Sequence, residues 1–296
     1  MSNFELKHMT VKKYPATSDY KDEKTDCEII EIEKFSAKDA EAMKKNGFFL
    51  MPNKVTYARK TAPFEQLMKE LAKNKRNKIK KAQKQGFQII QEKKLSNESY
   101  AEWHKNVYLP KISGKKLGII TAPKEWLEGT KIGVFAKDKG KIIGGMVAKK
   151  FLKDSQFPER MSISYSGVKN EYSKTGVNEL LNAMMIDLAY KEKHAWIFRG
   201  SDTSIYGKHL SPGIPIFKTS LNFEMLPRKP KVLIKFNNLD KFNDIVFFVS
   251  YGKKGAIGNL ILKKPIENEK EYRFKFLEKL RVYEYRAGKL ILVKRI

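Results

Sequence analysis

Apolar residues in the second half of the chain recur at intervals that distinguish helices from strands. Between Val177 and Glu192 they fall three and four residues apart, at Val177, Leu180, Leu181, Met184, Met185, Leu188 and Ala189. This period of about 3.6 residues predicts a helix with one buried face.

The stretch before this helix has the alternation and turn residues of β-strands. Lys131–Lys137 and Lys141–Phe151 flank Asp138-Lys139-Gly140, which predicts a hairpin. Further strands are predicted at Arg160–Ser166 and at Ala195–Phe198, the latter broken at Gly200, and Ile216–Glu224 is predicted to be extended. The pattern as a whole predicts a mostly antiparallel sheet that carries the 177–192 helix on one face.

The first part of the chain predicts a mixture of short elements after a loose polar arm, residues 1–26. A long helix is predicted from Pro63 to Gly86, because Pro favours the first turn and Gly the position after the last. The other elements predicted here are strands at 28–33, 48–51, 55–59 and 87–91 and helices at 37–45, 98–108 and 123–127.

Pro227 and Pro230 mark a predicted boundary near residue 230. Beyond it the pattern predicts strands at 232–236, 245–250 and 257–262, a helix near 268–279 and a closing hairpin of 282–285 with 290–294. The end of the chain is therefore predicted to be rich in β-structure.

Composition limits the classes of function. The chain has 296 residues, of which 60 are Lys or Arg and 33 are Asp or Glu, for a formal net charge of +27. Such a charge favours nucleic acid, phosphorylated substrates or an anionic surface as partner, although a lysine-rich solvated surface explains it equally well. A single cysteine, Cys27, and few histidines predict neither a disulfide nor a metal site.

Three local motifs in sequence order sharpen the picture. They are the basic segment 76–87, the stretch Ser166-Gly167-Val168 with Asn178-Glu179-Leu180-Leu181, and Phe198-Arg199-Gly200-Ser201 followed by Ile216-Phe217-Lys218. Together they resemble the FemAB-like branch of the GNAT acyltransferase superfamily. The resemblance implies an α+β fold: a GNAT-like splayed, mostly antiparallel sheet flanked by helices, with an additional C-terminal β-rich segment. It also implies a transferase domain over 27–229 and a C-terminal α+β extension over 230–296.

The resemblance places candidate catalytic residues at the ends of the splayed strands. Lys218 would stabilise an oxyanion or a donor phosphate, and Asp202 would orient or deprotonate the amine. Tyr206 would protonate the leaving group, and Tyr165 would face the site. Each residue type also has a structural interpretation, as surface lysine, turn cap or packed aromatic ring.

Candidate substrate- and donor-binding residues are Ser166, Gly176, Asn178, Arg199 and Ser201. A phosphate loop binds through backbone N–H groups at a helix N-terminus. The glycine-rich loop of relatives that bind coenzyme A is reduced here to the single Gly176 in Ser173–Asn178, which favours a different acyl donor or an inactive relative.

A basic strip on the predicted 63–86 helix is the candidate polyanion-binding site. Lys73, Arg76, Lys80 and Lys84 share one helix face. An anionic partner, such as tRNA or a nucleotide-linked substrate, would relieve their mutual repulsion, and a solvated helix face is the alternative.

The predicted function is transfer of an acyl or aminoacyl group to an amine, without a tightly bound cofactor and with aminoacyl-tRNA or acyl-CoA as donor. Two alternatives stay open: an acyl-CoA-dependent N-acetyltransferase acting on a small amine, and an inactive basic module that binds nucleic acid. No apolar run approaches the roughly 20 residues of a membrane span, and there is no apolar leader, so a cytoplasmic protein is predicted.

Overall fold

The structure is a computed structural model. It describes residues 11–14, 27–32, 45, 47–113, 131–154, 157–203, 205–206, 213–237, 245–251, 255–267, 269–274, 277–286 and 289–296. The predicted helices at 37–45 and 123–127 lie almost entirely outside these residues.

Strands outnumber helices in the described chain. The strands are β1 (Val11–Tyr14), β2 (Cys27–Ile32), β3 (Phe49–Lys60), β4 (Gln88–Glu92), β5 (Lys131–Asp138), β6 (Lys141–Phe151), β7 (Arg160–Val168), β8 (Trp196–Thr203), β9 (Ile205–Tyr206), β10 (Glu224–Phe236), β11 (Ile245–Tyr251), β12 (Ala256–Leu262), β13 (Lys279–Arg286) and β14 (Lys289–Arg295). The helices are α1 (Phe64–Glu70), α2 (Lys73–Lys84), α3 (Asn97–Trp103), α4 (Leu109–Ser113), α5 (Val177–Lys191) and α6 (Gly213–Thr219), with a π-helical segment at His104–Tyr108 and 3₁₀ turns at Asn170–Tyr172 and Glu269–Tyr272.

The chain divides into two compact units. The central unit contains Tyr57–Gly200 and Ser220–Glu224, and the terminal unit contains Met1–Thr56, Ser201–Thr219 and Met225–Ile296. Because the terminal unit draws on three separate parts of the chain, chain order alone does not delimit it.

The central unit is built on a sheet in which β8, β7, β6, β5 and β4 are neighbours in that order. The β4–β5, β5–β6 and β6–β7 pairs are antiparallel, and β7–β8 is parallel. The predicted hairpin is confirmed: Asp138 pairs with Lys141, and Lys139 and Gly140 both have positive φ, as a type I′ turn requires.

Helices cover both faces of this sheet. A Cβ added at Gly144 would lie 3.0 Å from Leu181 Cδ1 of α5, and one added at neighbouring Gly145 would lie 2.8 Å from Trp103 Cδ1 of α3. Since successive residues of a strand face opposite sides, α5 and α3 lie on opposite faces. The fold class is α+β, as the motifs implied.

The terminal unit contains two sets of strands. In one set β2 lies between β1 and β10, and in the other the order is β14-β13-β12-β11-β9. Buried side chains of β3, β10, β11, β12 and β13 form a common core, in which the Phe49 and Phe248 rings meet edge to face at 5.0 Å. The predicted closing hairpin is confirmed as the antiparallel pair β13–β14.

The predicted helix from Pro63 to Gly86 is wrong in one respect: it is two helices. Leu71 and Ala72 are extended, with ψ of 148° and 150°, and separate α1 from α2. The break lets both helices bury apolar side chains, Leu67 and Leu71 on one side of it and Ile79 and Ala82 on the other.

Lys218 lies on a helix, so the predicted extended stretch Ile216–Glu224 is wrong over its first part. Residues 213–219 form α6, and the strand begins only at Glu224. Pro215 is tolerated there because it lies in the first turn of α6, where backbone N–H groups form no intrahelical hydrogen bond. The missing N–H of proline therefore costs the helix no hydrogen bond.

The remaining differences concern strand ends and the predicted 98–108 helix. The strand predicted to break at Gly200 continues to Thr203, and β10 runs through Pro227 and Pro230. The described residues of the predicted 268–279 helix, 269–274 and 277–279, contain a 3₁₀ turn at Glu269–Tyr272 and no α-helix. The predicted 1–26 arm includes β1, which pairs with β2, and the helical run beginning at Asn97 continues past Pro110 to Ser113. No helix in the described part of the chain has the length and hydropathy needed to cross a bilayer.

Candidate active site

The parallel strands β7 and β8 diverge towards their C-terminal ends. Their ladder consists of Met161–Ile197 and Ser162–Phe198, near the start of both strands. Within the described residues it goes no further, although β7 extends to Val168 and β8 continues to Gly200 within the central unit. The parts of the two strands that lie beyond this ladder in the central unit therefore border a gap in the sheet.

The side chain of Arg199 reaches across this gap. It is buried on β8, where Nη2 donates a hydrogen bond to Ser166 Oγ at 3.4 Å and Nη1 approaches Met146 Sδ at 3.9 Å. Met146 and Ser166 are paired residues of β6 and β7, so all three side chains lie on the α5 face. A guanidinium keeps its charge when buried, and the gap therefore holds a fixed positive charge.

An aromatic stack lies on the opposite face of β7. Tyr100, His104 and Tyr108 are four residues apart, and their rings stack with centroid distances of 5.3 and 5.7 Å. Tyr165 meets Tyr108 edge to face at 5.3 Å. Tyr165 and Ser166 are neighbours on β7, so their side chains face opposite sides of the sheet. One ligand can contact both side chains only if it lies in the gap.

The backbone under this stack is π-helical from His104 to Tyr108. Such segments insert an extra residue into a helical turn and occur frequently at functional sites. Just before this segment, buried Trp103 faces the sheet, and its indole nitrogen lies 3.5 Å from the Gly167 carbonyl oxygen.

Burial sets the protonation of the stack. It raises the pKa of Tyr108 to about 12, helped by the nearby Tyr165 and Tyr100, and it raises the pKa of Tyr165 and of Tyr100. Burial lowers the pKa of His104, so the imidazole is neutral at pH 7. The tyrosines can donate protons, and His104 can accept one.

His104 was not among the residues predicted from the sequence. Its Nε2 is buried and has no hydrogen-bond partner in the described part of the chain. The sequence carries one signal for it, the aromatic spacing Tyr100, His104, Tyr108, which places the three rings on one helix face.

A small cavity opens beside the end of β7. Its volume is about 290 Å³, at the lower end for ligand pockets, and it lies between the π-helical segment and the loop after β7. Its walls carry two lysines and one carboxylate, among the lining residues Asn106, Val107, Pro110, Lys111, Val168, Lys169, Asn170 and Glu171.

Helix α2 packs against one side of the predicted donor-binding helix terminus. Gly176 is the N-cap residue of α5 and has φ of 89°, and a Cβ there would lie 2.3 Å from the Lys78 carbonyl oxygen of α2. Buried Glu179 binds Lys75 at 3.2 Å and Lys78 at 3.4 Å. These contacts give Gly176 a packing role, and a donor-binding role for Gly176 and Asn178 stays a prediction.

Four predicted site residues belong to the terminal unit. Ser201 and Asp202 lie on β8, Tyr206 lies on β9, and Lys218 is buried on α6. Ser201 Oγ accepts a hydrogen bond from Arg228 Nη1 at 3.1 Å. The structure thus brings together Tyr165, Ser166 and Arg199 in the central unit, and the roles predicted for the other four residues stay predictions.

The predicted basic face of α2 is exposed. Lys73, Lys80 and Lys84 face solvent, and Arg76 is half-buried with Nη1 3.5 Å from the Lys69 carbonyl oxygen. In the described chain no group of three or more His, Cys, Asp or Glu side chains is placed to hold a metal ion.

No protein-family model matches the sequence, and no curated protein matches it. Similar solved structures include L-PGS from Bacillus licheniformis, at 12% identity over 70% of this chain and 67% of that one, with a TM-score of 0.42. FemX is 13% identical over 71% and 72% of the two chains, with a TM-score of 0.49.

An aminoglycoside acetyltransferase from an uncultured soil metagenomic sample is similar over 38% of this chain and 78% of its own, at 19% identity and a TM-score of 0.32.

Proposed function

We propose that this chain is an acyltransferase that moves an acyl or aminoacyl group onto an amine acceptor. The observation that carries the proposal is the gap between β7 and β8, with the buried Arg199 guanidinium held against Ser166. Acyl transfer passes through a tetrahedral oxyanion, and preorganised donors in a site with little water stabilise it strongly. Arg199 supplies such a donor where strand edges border the gap.

Proton transfer is the second requirement of the reaction. The acceptor amine must lose a proton, and a neutral imidazole is a suitable base near pH 7. His104 is the candidate base, and Tyr108 and Tyr165, whose pKa values are raised by burial, are candidate donors to the leaving group. A substrate lying in the gap at Tyr165 would connect the two faces.

The residues expected from the motif resemblance keep their proposed roles. Lys218 would stabilise the oxyanion or a donor phosphate, Asp202 would orient or deprotonate the amine, and Tyr206 would give a proton to the leaving group. Ser201, Gly176 and Asn178 would contact the donor, which is either aminoacyl-tRNA or acyl-CoA.

One observation favours the alternative of a basic module that binds nucleic acid without transfer. Lys73, Lys80 and Lys84 form an exposed row on α2, and the chain has a net charge of +27. Phosphate contacts of such lysines weaken steeply with added salt. Salt-sensitive RNA binding without acyl transfer would establish this alternative.

The test begins with mass spectrometry of ligands that co-purify with the chain, followed by transfer assays with acyl-CoA and with aminoacyl-tRNA. We expect Arg199→Met to lower turnover by about a hundredfold or more, the usual effect of losing one oxyanion donor. Lys141→Met, on the same sheet and exposed, is the control.

The same assay tests Lys218→Met against Lys263→Met. Thermal unfolding of each variant separates loss of chemistry from loss of fold. Full activity of Arg199→Met would overturn the assignment of the site, and full activity of Lys218→Met would remove that residue from it.

A further inference from the structure

The central unit exposes large apolar side chains at one end of its sheet. Leu152 is 74% exposed, Tyr190 49% and Phe151 39%. Exposure of large apolar groups to water is unfavourable, and a cluster of them on a surface marks an interaction site more often than a lone one does.

Several contacts show that these three residues lie at the same end. Phe151 ends β6, pairs with Arg160 at the start of β7, and has the Arg160 guanidinium 5.3 Å from its ring centroid. Glu159, beside Arg160, binds Lys150 at 3.0 Å and lies 3.9 Å from His194 Nδ1. His194 in turn lines a cleft with Tyr190.

That cleft has a volume of about 540 Å³ and basic walls, among them Lys60, Lys191 and Lys193. Lys60, Lys153 and Lys193 form no ion pair with any acid in the described part of the chain. The neighbouring acids are engaged: Glu159 with Lys150, Asp154 with Arg160 and Asp187 with Lys191. The end therefore carries uncompensated positive charge around its apolar side chains.

We propose that this end of the central unit, formed by Lys60, Phe151, Leu152, Lys153, Tyr190 and Lys193, docks on an anionic phospholipid surface. Lysines attract the headgroups, and exposed aliphatic and aromatic side chains enter the boundary between headgroups and acyl chains. Leu152, the most exposed of the three, decides for a lipid surface over nucleic acid, which offers an aliphatic side chain little to bury against.

The surface lies at the opposite end of β7 and β8 from the proposed acyl-transfer gap. Arg160 and Trp196 begin the two strands there, and the gap opens only beyond Ser162 and Phe198. A bilayer bound at this end would leave the gap accessible from the aqueous side. The proposal is therefore independent of the proposed function.

The test is co-sedimentation of the full chain with vesicles of phosphatidylglycerol and phosphatidylcholine, and with vesicles of phosphatidylcholine alone. We expect binding to the anionic vesicles only, decreasing with added salt. The triple variant Lys60→Gln, Lys153→Gln and Lys193→Asn should bind about a hundredfold more weakly, because each lysine near an anionic surface contributes about fivefold. Asn is chosen at position 193 because Lys193 has φ of 61°.

The matched control changes three exposed lysines at the other end of the unit: Lys139→Asn, Lys141→Gln and Lys174→Gln. It removes the same charge and also replaces one lysine of positive φ, since Lys139 has φ of 48°. We expect it to bind nearly as the parent chain does. Equal weakening by the two triple variants would overturn the proposal, because the attraction would then be that of net charge alone.

Insertion is tested at Leu152 separately from attraction. We expect Leu152→Gln to weaken binding about tenfold, and Leu292→Gln, at an exposed site on β14, to leave it unchanged. An environment-sensitive dye attached at position 152 in the Cys27→Ser, Leu152→Cys variant should shift to the blue on anionic vesicles. The proposal would be overturned if the chain did not bind anionic vesicles, or if the dye at position 152 showed no shift on them. It would also be overturned if Leu292→Gln weakened vesicle binding while Leu152→Gln did not, or if the lysine variants lost RNA binding but kept vesicle binding.

Discussion

Gly176 shows how one residue joins two helices. It stands in the left-handed region at φ 89°, and its Cα is so close to α2 that a Cβ would lie 2.3 Å from the Lys78 carbonyl oxygen. Both constraints select glycine. The close approach also lets Glu179, in the first turn of α5, bind Lys75 and Lys78 of α2.

We predict that Gly176→Ala lowers the free energy of unfolding by more than about 2 kcal/mol, because it adds a backbone clash to the strain of positive φ. Gly86→Ala is the matched control: Gly86 has φ of 72° and open space around it, and its cost should be only about 1 kcal/mol. Urea unfolding of both variants measures the difference. Equal destabilisation by the two substitutions would contradict the prediction, because it would show that α2 shifts at Lys78 and relieves the clash.

His104 makes stability depend on pH. Burial lowers its pKa in the folded chain, so the unfolded chain takes up the proton first as the pH falls through the ordinary histidine pKa of about 6.5. Stability is therefore fully present above that value and is lost as the pH drops towards the folded-state pKa.

We predict that His104→Phe, which keeps a stacked ring and removes the titration, makes the free energy of unfolding fall less between about pH 7 and pH 5.5. Urea unfolding at several pH values measures this slope. Between pH 7 and 8 the imidazole is neutral in the folded and in the unfolded chain. The free energies of unfolding of parent and variant should therefore change with pH in the same way over that range. An unchanged slope below pH 7 would contradict the lowered pKa of the half-buried His104 in the folded chain.

At the scale of elements, α2 has two chemically distinct faces. Ile79 and Ala82 are buried and Lys75 is tied to Glu179, whereas Lys73, Lys80 and Lys84 face solvent. The buried face stabilises the helix against the rest of the unit. The exposed lysines can bind a partner, or they can contribute to solubility alone.

We predict that changing Lys73, Arg76, Lys80 and Lys84 together to Gln weakens binding of RNA and flattens its salt dependence. The log–log slope should fall by roughly one unit for each phosphate that the variant no longer neutralises. Fluorescence anisotropy with a labelled RNA over a salt series measures the slope. Four exposed lysines elsewhere, Lys94, Lys139, Lys141 and Lys174, are the control set. An unchanged slope in the α2 variant would assign its lysines to a solvated face.

At the scale of the whole molecule, the net charge of +27 opposes compaction. Screening should relieve this repulsion, since the Debye length falls from about 30 Å at 0.01 M salt to about 8 Å at 0.15 M. We predict that the melting temperature rises over this range of NaCl, as measured by circular dichroism. Sorbitol at matched osmolarity is the control, and an unchanged or lower melting temperature in salt would contradict the prediction.

Elements with strong local signals could be predicted from the sequence. The β5–β6 hairpin follows from Asp138-Lys139-Gly140, since this turn needs residues that tolerate positive φ. Helix α5 follows from an apolar repeat whose side chains are almost all buried in the structure. The three motifs led to Arg199 and Ser166, which the fold brings into contact.

The sequence by itself therefore determined the helices and hairpin whose information lies within a few residues, the α+β class and the basic character of the chain. Tertiary structure alone decided the break at Leu71-Ala72, the helical state of Lys218 and the passage of β10 through Pro227 and Pro230. It also decided the gap between β7 and β8 and the packing of Tyr165 against the Tyr100–His104–Tyr108 stack. The physical reason is that these features depend on contacts between residues distant in the chain, which override weak local preferences and leave no local pattern.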